Sequence, residues 1–114
     1  MDSCIFCKII DGTIPAKKVY EDDDLVAVED INPVAPHHLL LIPRKHIVNA
    51  LDLTPDDDGL VGRVFRAAAA IARERGVDER GFRIVQNSNP DAGQSVFHIH
   101  FHLLAGRHFG WPPG

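Results

Sequence analysis

The sequence predicts an α+β domain with a mostly antiparallel sheet, one domain spanning residues 1–114. Three observations support this. Residues 54–76 carry one clear helical stripe. The element order reads helix, hairpin, strand, helix, then two strands. The run SVFHIHFHLLA, residues 95–105, alternates polar and apolar positions as an extended strand does.

The elements follow in order. CIFCKIIDG places apolar residues at 5, 6, 9 and 10 and ends at Gly12, which predicts a short helix. AKKVYED and LVAVED are β-rich runs broken by Asp22–Asp24, a hairpin pattern. INPVAP turns, because two prolines interrupt both helix and strand. HHLLLIPRKH is a buried strand ending at Pro43. For the long helix, Thr54 suits the N-cap, Pro55 the first position, and Asp56 to Asp58 the dipole. Its stripe comprises Leu60, Val61, Val64, Phe65, Ala68, Ile71 and Ala72, and Gly76 stops it. GFRIVQN and SVFHIHFHLLA are the last strands, separated by the turn NPDAG. The tail GRHFGWPPG is too rich in Gly and Pro for regular structure, and its Trp111 needs a partner surface.

Composition bounds the function. The 114 residues suffice for a packed core without staples. A net charge of −4 argues against a nucleic-acid polymer as partner, though not against one mononucleotide. No apolar run reaches membrane-span length. The acidic second residue and the lack of a basic leader argue against a secretory signal, so a cytoplasmic protein is expected. Cys4 and Cys7, spaced C-x-x-C, suggest metal or redox chemistry, and supply half of a tetrahedral site.

The histidines at 98, 100 and 102 share one face of the strand, opposite Phe97, Ile99, Phe101 and Leu103. A polar row in an apolar strand is costly unless it is used. One metal held by all three is geometrically awkward: same-face neighbours lie about 6.6 Å apart, whereas zinc wants each nitrogen about 2.0–2.1 Å away. Acid–base or nucleophilic work on a phosphate fits better, since neutral imidazole is a competent nucleophile and a neighbouring ring can pass a proton. Gly93, Gln94 and Ser95 lead into the strand, where a Gly lets backbone N–H groups approach a phosphate and Ser95 adds a hydroxyl. Asn87 ends the neighbouring strand within reach.

His98-Ile99-His100-Phe101-His102-Leu103-Leu104 resembles the His-x-His-x-His-x-x signature of the histidine triad (HIT) family, with apolar residues at x. IPAKKVYEDDDLVAVEDINPVAPHHLLLIPRKHI, GQSVFHIHFHLLAGR and the terminal WPPG are similar to the Hint branch, the purine nucleoside phosphoramidases. The resemblance runs from about Cys4 to Gly114. It implies a HIT-like fold: a five-stranded antiparallel sheet with one long and one short helix, continued across a homodimer. It implies hydrolysis of purine nucleoside 5′-phosphoramidates through a nucleotidyl-histidine intermediate, without a catalytic cofactor.

Site residues follow from the same resemblance. His100 matches the nucleophile, with its other ring nitrogen donating to the carbonyl of His98. His102 matches the residue near the leaving group, and His38 a fourth histidine supporting the cluster. Asn87, Gly93 and Ser95 match phosphate contacts, with Gln94 close by. Asp30 matches the ribose carboxylate; a turn-capping acid is the plainer alternative. Ile5, Phe6, Ile9, Val28 and Ile31 match the apolar slot for the base, or are simply core. Trp111 matches an aromatic that reaches the partner subunit's site. Position 29 is Glu, where relatives can carry His.

In relatives that carry C-x-x-C, the pair binds zinc with two histidines. The matching set here is Cys4, Cys7, His46 and His98, a closed structural site. Two thiols acting as small apolar residues are the alternative. Other functions compatible with the residues are a dinucleoside polyphosphate hydrolase, a nucleotide-binding adaptor and a zinc-dependent hydrolase. A transferase fits less well, because that branch carries Gln in place of the third histidine.

Overall fold

The computed structural model describes residues 3–114; Met1 and Asp2, on which the leader reading partly rests, lie outside the described residues. Helix α1 (Ile5–Ile10) leads into strands β1 (Lys18–Glu21), β2 (Leu25–Glu29) and β3 (His37–Pro43). Helix α2 (Asp58–Glu74) and strands β4 (Phe82–Val85) and β5 (Phe101–Ala105) complete the fold. The strands form one five-stranded sheet in the order β1-β2-β3-β5-β4, with every pair antiparallel.

Side-chain parity sorts the sheet into two faces. Leu25 and Ala27 of β2, Leu39 and Leu41 of β3, and Phe101 and Leu103 of β5 meet Leu60, Val64, Ala67, Ala68 and Ile71 of α2. The intervening Val26, Val28 and Ile42 meet Phe6 and Ile9 of α1. A helix of six residues has too few internal hydrogen bonds to stand alone, so α1 depends on that contact. It is capped unusually: the Cys4 thiol accepts from the Cys7 N–H at 3.3 Å.

The long helix is as expected with two local differences. Pro55–Asp57 forms a 3₁₀ turn ahead of the α-helix, and the Thr54 N–H donates to Asp57 Oδ2 at 3.0 Å. Asp57 also holds Lys45 at 2.6 Å, a bond that lowers its pKa. On the stripe, Ala67 is buried while Phe65 stays 47% exposed, its ring laid edge-on to Phe101 at the rim.

The last strand is shorter than its alternation suggests. β5 starts at Phe101, so His98 and His100 precede it. The backbone there is engaged elsewhere: the Ile99 N–H donates to the Ile47 carbonyl at 2.6 Å. Facial alternation nevertheless continues, because Ile99 joins the α2 core while His98 and His100 meet Phe6 edge-on. Phe97 does not follow it; the bend at 96–98 leaves it 45% exposed. β4 is likewise trimmed to residues 82–85. Among the described residues no helix is long and apolar enough to cross a membrane.

Candidate functional site

Parity on the α1 face brings the histidines together. β3 and β5 pair Leu40 with His102 and His38 with Leu104, which sets the two rings diagonally on adjacent strands. His38 Nε2 lies 2.9 Å from His102 Nδ1. His38 Nδ1 accepts the Val34 N–H at 3.1 Å, so in neutral His38 the proton is on Nε2. That proton faces His102 Nδ1, which leaves His102 with its own proton on Nε2. Burial, then the neighbouring His100 and His38, push the His102 pKa down to about 4. His102 is therefore neutral at neutral pH.

His100 carries the opposite tautomer. Its Nδ1 lies 2.8 Å from the His98 carbonyl oxygen, which can only accept, so the proton is on Nδ1 and the Nε2 lone pair is bare. Burial lowers its pKa, against the pull of that hydrogen bond. Its ring stands edge-on to Phe6 at 4.9 Å and beside His102 at 5.2 Å.

An apolar cavity of about 300 Å³ opens beside these rings, lined in part by Ile5, Phe6, Ile9, Val28, Asp30 and Ile31. All six are sequence-derived candidates, and the fold assembles them in one slot. Phe6, Ile9 and Val28 also belong to the core beneath it. Asp30 Oδ2 is 3.3 Å from His38 Nε2, which joins the slot to the histidine cluster. Glu29 also lines the slot, and Arg75 at the end of α2 holds its carboxylate at 2.8 Å.

The loop before β5 is braced by Gln94. Its Oε1 accepts from the Asn89 N–H at 2.7 Å and from Asn49 at 3.1 Å. Its amide nitrogen donates to the carbonyls of Val48 at 2.7 Å and Val96 at 3.2 Å. Gln94 is thus engaged within the fold. Gly93 has φ +91°, a conformation glycine adopts freely. Ser95 is exposed and lines a second cavity of about 450 Å³, which shares Ile5 with the slot. Asn87 lies half-buried just beyond β4. Trp111 is 84% exposed and lines neither cavity. Val34 and the Asn49–Gln94 pair carry structural weight that sequence pattern did not reveal, because the Val34 contribution is a backbone N–H and the pair is joined only in space.

The cysteines form a separate cluster with His46 and His98, all four donor atoms lying within 4.8 Å of one another. His98 Nε2 donates to the Pro43 carbonyl at 2.7 Å, which turns a bare Nδ1 to the cluster. That Nδ1 lies 3.4 Å from Cys4 Sγ, 3.6 Å from Cys7 Sγ and 3.1 Å from His46 Nδ1; His46 Nδ1 is 3.4 Å from Cys7 Sγ. A tetrahedral zinc with bonds of about 2.3 Å to sulfur and about 2.0–2.1 Å to nitrogen separates its donors by roughly 3.4–3.8 Å. Donor types and spacing both fit a metal.

The HIT domain family model matches residues 11–109. The chain belongs to the HIT family. A HIT family hydrolase from Legionella pneumophila superposes with a TM-score of 0.96 at 48% identity, covering 98% of this chain and 100% of that one. The purine nucleoside phosphoramidase of Escherichia coli K12 is 43% identical over 96% of this chain and 92% of its own length. A 14 kDa zinc-binding protein of Brassica juncea is 46% identical over 96% of this chain and 98% of its own length. The relatives thus include one named a hydrolase, one named a purine nucleoside phosphoramidase and one named for binding zinc.

Proposed function

We propose that this HIT protein hydrolyses purine nucleoside 5′-phosphoramidates through a nucleotidyl intermediate on His100. The observation that carries the reading is the hydrogen bond from His100 Nδ1 to the His98 carbonyl, which leaves Nε2 as a bare nucleophile beside an apolar slot. Nε2 attacks phosphorus and the P–N bond breaks. The departing amine takes the proton from His102 Nε2. Water then cleaves the phosphorus–imidazole bond, giving its proton back to His102 Nε2, which releases the nucleoside monophosphate and restores both His100 and His102.

The remaining candidates take supporting roles. Ile5, Phe6, Ile9, Val28 and Ile31 hold the purine, and Asp30 accepts from the ribose hydroxyls. Asn87, Gly93 and Ser95 contact phosphate oxygens, with Gln94 bracing their loop. The enzyme works in the cytoplasm as a homodimer, and Trp111 reaches the partner's site. Its substrates are mononucleotide derivatives, not nucleic-acid polymers or membranes. Cys4, Cys7, His46 and His98 hold zinc, which supplies no chemistry to the reaction and ties α1 to the segment before β5.

The test is incubation with a slowly cleaved adenosine phosphoramidate or sulfamate analogue, followed by mass spectrometry of the peptide containing residues 95–105. A nucleotidyl adduct on His100, and loss of turnover by at least about a thousandfold in His100→Ala, are the expected results. An adduct on His98 or His102 overturns the assignment. If the His100→Ala protein and the parent bind AMP equally and neither turns over, the protein is an adaptor.

A further inference from the structure

Asp30 stands where sugar recognition meets proton supply. Its Oδ1 accepts the Asn32 N–H at 2.8 Å, and its Oδ2 lies 3.3 Å from His38 Nε2. The same Nε2 lies 2.9 Å from His102 Nδ1. Because His38 Nδ1 accepts the Val34 N–H, neutral His38 has a single N–H; it bonds His102, and the Asp30 carboxylate stands beside it as a competing charge. The donor atoms of Asp30, His38 and His102 are close enough to suggest a metal trap. His38 has no free lone pair for one, however, since one ring nitrogen takes the Val34 amide and the other carries the proton.

A carboxylate 3.3 Å from an N–H pulls on it through its charge even outside hydrogen-bond geometry. The bond to His102 is therefore weakened while the Asp30 charge stands beside it. An imidazole that accepts a full hydrogen bond at Nδ1 becomes a better donor at Nε2, since bonds in a chain polarise one another. We propose that a ribose diol donating to Asp30 draws its carboxylate charge off His38, strengthens the His38 N–H bond to His102, and so readies His102 Nε2–H to protonate the leaving amine. The inference rests on the ribose contact proposed above and adds a task to it: Asp30 is also a positioning residue, acting through His38. Sugar recognition then promotes P–N cleavage only when the correct nucleoside is seated.

The test uses two leaving groups on one adenosine 5′-phosphoryl frame, an alkylamine that must be protonated and a p-nitrophenolate that need not be. Each is made with ribose and with 2′,3′-dideoxyribose, and single-turnover cleavage rates are compared. Loss of the diol weakens binding of both. It is expected to slow cleavage of the amine by about tenfold more than cleavage of the aryl ester, a modest part of what general acid catalysis supplies. Equal slowing of the two overturns the coupling. In Asp30→Asn the difference between leaving groups is expected to collapse; its persistence shows that Asp30 is not the link.

Nuclear magnetic resonance reads the same event without turnover. Bound AMP is expected to move the His38 Nε2–H proton downfield, and 2′,3′-dideoxy-AMP to leave it in place. Identical shifts with both ligands overturn the coupling. Absence of any adduct on His100 with the ribose amine takes down the functional reading and the coupling together, whereas an adduct with equal slowing takes down the coupling alone.

Discussion

The backbone oxygen of His98 lies 2.8 Å from Nδ1 of His100, and the ring of the same His98 turns its bare nitrogen to Cys4 and Cys7. One residue therefore serves two neighbours with different atoms. Its ring belongs to the thiol cluster and its carbonyl sets the tautomer of the next histidine in the row. This explains how three histidines at every second position do separate work.

Metal removal is expected to lower stability first. A ligand held at a hundred times its dissociation constant stabilises by about 2.7 kcal/mol. In a chain of this size that is a shift of roughly 10 °C in Tm. Elemental analysis is expected to find one zinc per chain, and calorimetry with a strong chelator, or on Cys7→Ser, to find the drop. An unchanged Tm after verified metal removal argues that the thiols are packing groups.

Acid is expected to destabilise the fold through the histidine row. His100 and His102 have lowered pKa values because burial disfavours their charged forms, with His102 at about 4 against an ordinary 6.5. Between those pH values the unfolded chain binds more protons than the folded one, so stability rises with pH. The contribution is complete above about pH 6.5 and is lost as pH falls toward 4. Urea titrations across that window, compared with His102→Gln, are expected to show a shallower dependence in the variant. Parallel curves exclude His102 as a source.

Arg75→Ala is expected to cost little and to leave nucleotide affinity unchanged. The Arg75–Glu29 pair joins the end of α2 to β2 at 2.8 Å, and both side chains are partly exposed. Such a pair contributes up to about 1 kcal/mol. Isothermal titration with AMP is the check, and a severalfold weaker Kd shows that the pair shapes nucleotide binding in the slot that Glu29 lines.

Gln94→Ala is expected to harm both folding and catalysis. Its amide joins Asn49, Asn89, Val48 and Val96, and Asn49 is only 4% exposed. Removing it strands buried polar groups at a cost of about 1–3 kcal/mol, and loosens the loop that carries Gly93 and Ser95. Denaturation together with kcat under native conditions tests this. A fall in stability with unaltered kcat shows that the loop holds its geometry without the brace.

Much of the fold was legible because local signals agreed with it. The α2 stripe, the Asp22 turn and the Pro-bounded β3 each follow from period, capping or lost donors. Asp22 Oδ1 accepts from the N–H groups of both Asp24 and Leu25, the hairpin bend that the Asp run suggested. The true start of β5 was not legible, because whether residues 98–100 pair in the sheet depends on a hydrogen bond from Ile99 to Ile47, far away in sequence. The exposure of Phe97 goes with the bend at 96–98, which local pattern did not mark either.

By itself the sequence determined the family, the sheet and the set of polar residues on one strand face, since each is written in spacing and residue type. Tertiary structure alone decided which nitrogen of each ring carries its proton. Those protons are placed by carbonyls and amides of Pro43, His98 and Val34, backbone groups that every residue type supplies and no sequence motif can mark.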